Sequence, residues 1–76
     1  MLNELERYRK TIFALLEMRN ATHELIMSFV QDYADIYMHN LSDEERAIAM
    51  ERVRNEADPL PGDLRDEIDM LFFGNL

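Results

Sequence analysis

The residues best placed to do chemistry are Asp32, Asp35 and His39. On a helix they share one face, and carboxylates with an imidazole at such spacings can ligate zinc or iron. The set stops at one histidine, because His23 lies far along the chain. The Glu-x-x-His signature of dimetal carboxylate bundles is also missing. An isolated Asp–His pair reads more simply as a surface ion pair. The hydroxyls offer little more. Ser28 lacks the glycine-flanked elbow that exposes a nucleophile. Ser42 is better explained as a helix cap, and Thr11 and Thr22 have no base at a diagnostic spacing. With no cysteine there is no thiolate chemistry. Gly62 and Gly74 are isolated, so no glycine-rich loop can cradle a phosphate. Asp66 and Asp69 look like a solvated face rather than an acid–base pair. No catalytic residue, metal ligand or cofactor is therefore expected, and the chain reads as non-enzymatic.

The elements are helical. Leu5, Tyr8, Ile12 and Leu15, then Ile26, Phe29, Tyr33 and Ile36, recur at spacings of three and four. Leu2, Leu16, Val30 and Tyr37 widen that stripe enough for a bundle. Glu6, Arg9, Lys10, Glu17, Gln31 and Asp35 fall on the opposite face. The stripe fails once, at Arg19, Thr22 and His23. Two readings compete. A single helix over about 2–39 would run about 55 Å with a polar layer in its middle, which could set the register of paired helices. Alternatively the chain turns at Arg19-Asn20-Ala21-Thr22, where Asn20 tolerates the left-handed conformation that ends helices. The stripe resumes in register and the gap holds no glycine or proline, which favours the long helix.

Later boundaries are sharper. Ser42 followed by Glu45 predicts a capping box, with Asp43 and Glu44 at the positive end of the helix dipole and Leu41 as a staple. That helix should run over about 43–57, burying Ala49, Met50 and Val53. Pro59-Leu60-Pro61-Gly62 then breaks the chain. Asp63 is a candidate cap for a last helix over about 64–73, with Leu64, Ile68, Leu71 and Phe72 on one face and Gly74 ending it. The expected fold is a single all-α domain: a small bundle with one long or hinged N-terminal helix and two shorter helices folded back on it. A long first helix would outrun its cover, so a homodimer is expected; the hinged form instead allows a four-helix monomer.

Size and charge bound the function. The chain has 76 residues and no cysteine, which suits one small core in a reducing compartment. No signal or membrane-spanning stretch is recognised, so a cytoplasmic location is expected. The net charge is −8, concentrated after residue 22, which disfavours nucleic acid and anionic membranes and suits a basic protein surface. Arg7, Arg9, Lys10 and Arg19, interleaved by Tyr8, form the basic counter-example, although Tyr8 also belongs to the buried stripe. Of the six methionines, Met18, Met27 and Met38 fall off the stripe, as adaptable binding surfaces allow. Phe72 and Phe73 point about 100° apart on a helix, so one of them is available to a partner.

A long helix followed by two shorter ones is similar to the all-helical chorismate mutases, intertwined dimers with active sites between helices. Leu15-Leu16-Glu17-Met18-Arg19 resembles the Leu-Leu-x-x-Arg stretch of that family's first helix, and Glu51-Arg52-Val53-Arg54 resembles part of its second. By the family's spacing a catalytic arginine would fall near Leu2 and a catalytic lysine near Val30, and neither is basic. The resemblance thus implies a degenerate mutase-like scaffold lacking the cations a dianionic substrate needs. The favoured expectation is a small acidic adaptor or inhibitor that binds a larger, basic protein through Asp43, Glu44, Asp66, Glu67, Asp69 and Phe72 or Phe73. A nucleic-acid mimic, the degenerate mutase-like dimer and a self-assembling structural subunit are the alternatives.

Overall fold

A computed structural model describes residues 1–19 and 21–74. It contains four helices: α1 (Leu2–Met18), α2 (His23–His39), α3 (Asp43–Ala57) and α4 (Gly62–Phe73). Among the described residues there is no strand. The all-α bundle is as the hydrophobic periodicity requires.

The single long helix is not formed. The molecule is 32 Å in its longest dimension, and the chain turns where the stripe fails. Arg19 adopts a left-handed conformation with φ 55° and closes α1 by donating its backbone N–H to Leu15 O. Thr22 is extended, and its hydroxyl accepts from the Leu25 N–H at 3.2 Å, which starts α2. The apparent polar layer of Arg19, Thr22 and His23 is therefore two helix ends and an exposed first turn. It carries no buried register device. Asn20, expected to take the left-handed role, lies outside the described residues. The left-handed conformation at a residue with a Cβ costs about 1–2 kcal/mol. An ion pair from Arg19 to Asp63 at 2.8 Å offsets part of that cost.

The other junctions follow local chemistry. The Ser42–Glu45 capping box is complete, with Ser42 N–H donating to Glu45 at 3.0 Å and Glu45 N–H to Ser42 Oγ at 3.2 Å. Leu41, just before it, is buried in the core. Asp63 does not cap α4. The helix begins two residues earlier than predicted, after Pro61, and no side chain caps it. Gly74 ends it, and a Cβ there would fall 2.5 Å from Met70 O.

α1 packs against all three other helices, α2 and α3 both flank it, and α4 lies between α2 and α3. The core runs Leu5, Ile12, Phe13 and Leu16 on α1, Val30, Tyr33 and Tyr37 on α2, Ala49, Val53 and Ala57 on α3, and Leu64, Ile68, Leu71 and Phe72 on α4. The buried side chains of α3 are small, two alanines and a valine. Phe72 is the aromatic centre: its ring stands edge-on to Tyr33 at 4.7 Å and to Phe13 at 5.5 Å. With the first helix broken, its uncovered length, which was the ground for expecting a second copy, is gone. So is the long first helix on which the similarity to chorismate mutases rests.

Candidate functional site

Most of the net negative charge is carried by two of the four helices, α2 and α4. On α2, Glu24, Asp32 and Asp35 are exposed, and the helix has no lysine or arginine. On neighbouring α4, Asp63, Asp66, Glu67 and Asp69 are exposed beside one cation, Arg65, which reaches back to Asp58 at 3.7 Å. Asp63 is neutralised by Arg19, whose hydrogen bond holds its carboxyl below the usual carboxylate range. Glu24, Asp32, Asp35, Asp66, Glu67 and Asp69 have no ion pair among the described residues. Two adjacent helices thus present carboxylates without counter-ions.

The predicted site residues distribute unevenly over this frame. Asp66, Glu67 and Asp69 lie on the acidic side. Asp43 and Glu44 are exposed in the first turn of α3, where Asp43 sits 3.5 Å from Arg46. No ion pair or side-chain hydrogen bond among the described residues joins them to α4. Glu45 beside them is held below the usual carboxylate range by the Ser42 backbone N–H and then its hydroxyl. Phe72 is not a surface anchor: only 1% of it is exposed. Phe73 is half-buried, and the Arg54 guanidinium lies 5.2 Å from its ring centre. His23 is exposed at the start of α2. Met27 packs on the core, whereas Met18 and Met38 are exposed.

The opposite side holds charges that the sequence reading missed. Arg9, read as part of the polar face, is 5% exposed. It pairs with Glu6 at 2.7 Å and with Glu56 on α3, and Arg52 reaches Glu6 at 3.5 Å. The guanidinium also lies 5.8 Å from the Phe13 ring centre. A signal was present: position 9 continues the run Leu5, Ile12, Leu16 at spacings of four and three. The Arg7–Arg9–Lys10–Arg19 group is accordingly dispersed, with Arg9 buried and Arg19 paired to Asp63. Nearby, burial pushes the Tyr33 phenol well above its ordinary range; Tyr37 adds to the shift and Arg9 opposes it.

Two surface grooves remain. One, of about 350 Å³, lies between α1 and α2 and is lined by Glu4, Arg7, Tyr8, Thr11 and Phe29. It bears one charge of each sign. The other, of about 190 Å³, lies where the ends of α1 and α2 meet α4, lined by Leu15, Leu16, Arg19, Ala21, Ile26 and Glu67. Among the described residues, no group of three or more His, Asp or Glu is placed to hold a metal ion. No helix of the described residues is long and apolar enough to cross a membrane. Comparison with protein-family models, curated proteins and solved structures finds no match.

Proposed function

We propose that the chain is a protein-binding module, an adaptor or inhibitor, whose acidic α2–α4 side engages a basic surface of a larger protein. The observation that carries this reading is the set of carboxylates without counter-ions on two adjacent helices. Charge spread evenly over the surface would serve solubility equally well. Concentrated on one side, it steers a cationic partner and orients its docking. On α1 and α3 acids and bases are closer to balance, although Glu4, Glu17, Glu44 and Glu51 are also exposed without an ion pair among the described residues.

Affinity capture from a lysate at low and high salt, with mass spectrometry, tests the reading. One stoichiometric partner with a basic surface, retained at low salt and released at high salt, is expected. Asp66→Asn, Glu67→Gln and Asp69→Asn together should weaken that complex by about tenfold or more while thermal unfolding barely moves, as for surface substitutions in general. Unchanged affinity in the triple variant would sink the proposal. Retention of nothing but the protein itself would favour the self-assembling subunit.

A second reading, nucleic-acid mimicry, draws on the same side. Of the arginines that weaken it in the sequence, Arg46, Arg52 and Arg54 lie on α3, and Arg65 is tied to Asp58. Mimicry requires that double-stranded DNA displace the captured partner competitively. A partner that holds DNA and this protein at once excludes it.

A further inference from the structure

The groove at the meeting of α1, α2 and α4 carries the acidic-side reading further. Its floor is apolar: Leu15 and Leu16 from the last turns of α1, Ala21 from the turn and Ile26 from α2. It lies where α1 ends at Met18, with Leu15 and Ile26 both half-buried. It is an open groove of about 190 Å³, with Arg19 and Glu67 at its edge. One large aliphatic or aromatic side chain would fill it.

The rim selects what that side chain is attached to. Its one cation, Arg19, is already committed to Asp63 at 2.8 Å, while Glu67 on the facing wall has no ion pair among the described residues. Glu67 leads along α4 to Asp66 and Asp69, and Glu24 stands in the first turn of α2. Met18 and Leu25, the chain neighbours of two lining residues, are 63% and 45% exposed. A flexible thioether beside an apolar pocket suits an adaptable contact. An acidic segment would be repelled here, and a neutral ligand would leave the carboxylates unanswered.

We propose that this groove is the anchor pocket of the acidic side, taking one apolar side chain from a lysine- or arginine-rich amphipathic helix whose cations lie along α2 and α4. The inference rests on the reading of that side as a docking surface for a basic protein. Helices that bind in this way present apolar anchors on one face at spacings of three and four. Here the anchor supplies position, and the flanking cations supply attraction and salt dependence.

The test uses the full chain, ¹⁵N-labelled, titrated with a synthetic amphipathic helix of leucine and lysine. A control peptide has the same composition shuffled so that no apolar face forms. The amphipathic peptide should bind saturably, with the largest amide shifts at Ala21, Ile26 and Glu67, and about tenfold or more tighter than the shuffled one. Ala21→Leu fills the groove without changing charge and should weaken binding by about tenfold. Glu67→Lys reverses the rim at an exposed helical position and should do the same, which keeps the test open if Ala21→Leu disturbs the turn. Equal binding of the two peptides, or wild-type affinity in both variants, overturns the pocket. If the combined Asp66, Glu67 and Asp69 neutralisation still weakens such pocket-independent binding, the acidic docking surface survives and only the pocket fails. Absence of binding by either peptide removes both.

Discussion

The two sides of this bundle use charge in opposite ways. Between α1 and α3, Arg9 is buried and shared by Glu6 and Glu56, with Arg52 closing on Glu6. On α2 and α4, carboxylates stand in solvent without partners among the described residues. A buried charge must be answered inside the fold, because an uncompensated one costs several kcal/mol. An exposed charge is tolerated unanswered, and its counter-charge can come from another molecule. The structural side is thus recognisable by its closed accounts and the candidate binding side by its open ones.

The sharpest way to break this contrast is through the inner face of the acidic side. Phe72 lies under the exposed carboxylates of α4 and against Tyr33 and Phe13. Phe72→Ala should cost about 3–5 kcal/mol in chemical denaturation, a large share of the total stability of so small a domain. Little or no loss would mean that the aromatic centre is not what holds α4 in place.

The next effect lies on the other side. Arg9→Ala leaves Glu6 partly buried with only a distant arginine, and should cost about 2–3 kcal/mol, below the full value for a buried pair because Glu56 is half exposed. Adding Glu6→Gln should recover part of that loss in the same denaturation assay. Additive losses would show that Arg9 acts by packing on Phe13 rather than by charge.

The smallest effect is in pH. Asp63 and Glu45 are held below the usual carboxylate range, so the stability they contribute is complete above about pH 4–5 and fades as pH falls through their lowered values. Tyr33 has the opposite sign. Its raised value means that stability is complete below about pH 10 and is lost as pH climbs beyond it. Thermal unfolding followed across the pH range should therefore show a shallow acid limb, reduced in Asp63→Asn combined with Glu45→Gln, and a steeper alkaline one, reduced in Tyr33→Phe.

What could be read from the sequence was set by locality. The Ser42–Glu45 box needs only residues three apart, and it formed as written. The Pro59–Pro61 break likewise depends on the backbone chemistry of its own residues. The turn at Arg19 was misjudged because no glycine or proline marks it, while the core contacts of α2 and α4 that accompany it come from far along the chain. The stripe resumes in register on α2 even though a different helix carries it. Arg9 was misassigned because residue type outweighed position: its place in the stripe marked it as internal, but burial required Glu56 from α3. Adjacent Phe72 and Phe73 had to diverge, and the spacing of Leu64, Ile68 and Leu71 already put Phe72 on the face that the core buries. The acidic residues of the candidate site were legible as composition, while their assembly on two neighbouring helices was not.

The order of contacts has a consequence for how the molecule assembles. α1 packs against every other helix, whereas the consecutive pair α2 and α3 makes only the weakest contact in the bundle. The chain therefore cannot complete itself by zipping each helix onto the one before. Individual helices form on a timescale of about a microsecond or less. The seam of α3 on α1 is the long-range one, since it brings Glu56 to Arg9 across most of the chain. Folding should still fall in the microsecond-to-millisecond range of helical bundles, but its rate should respond to changes at the α1–α3 seam more than to changes within the α1–α2 turn.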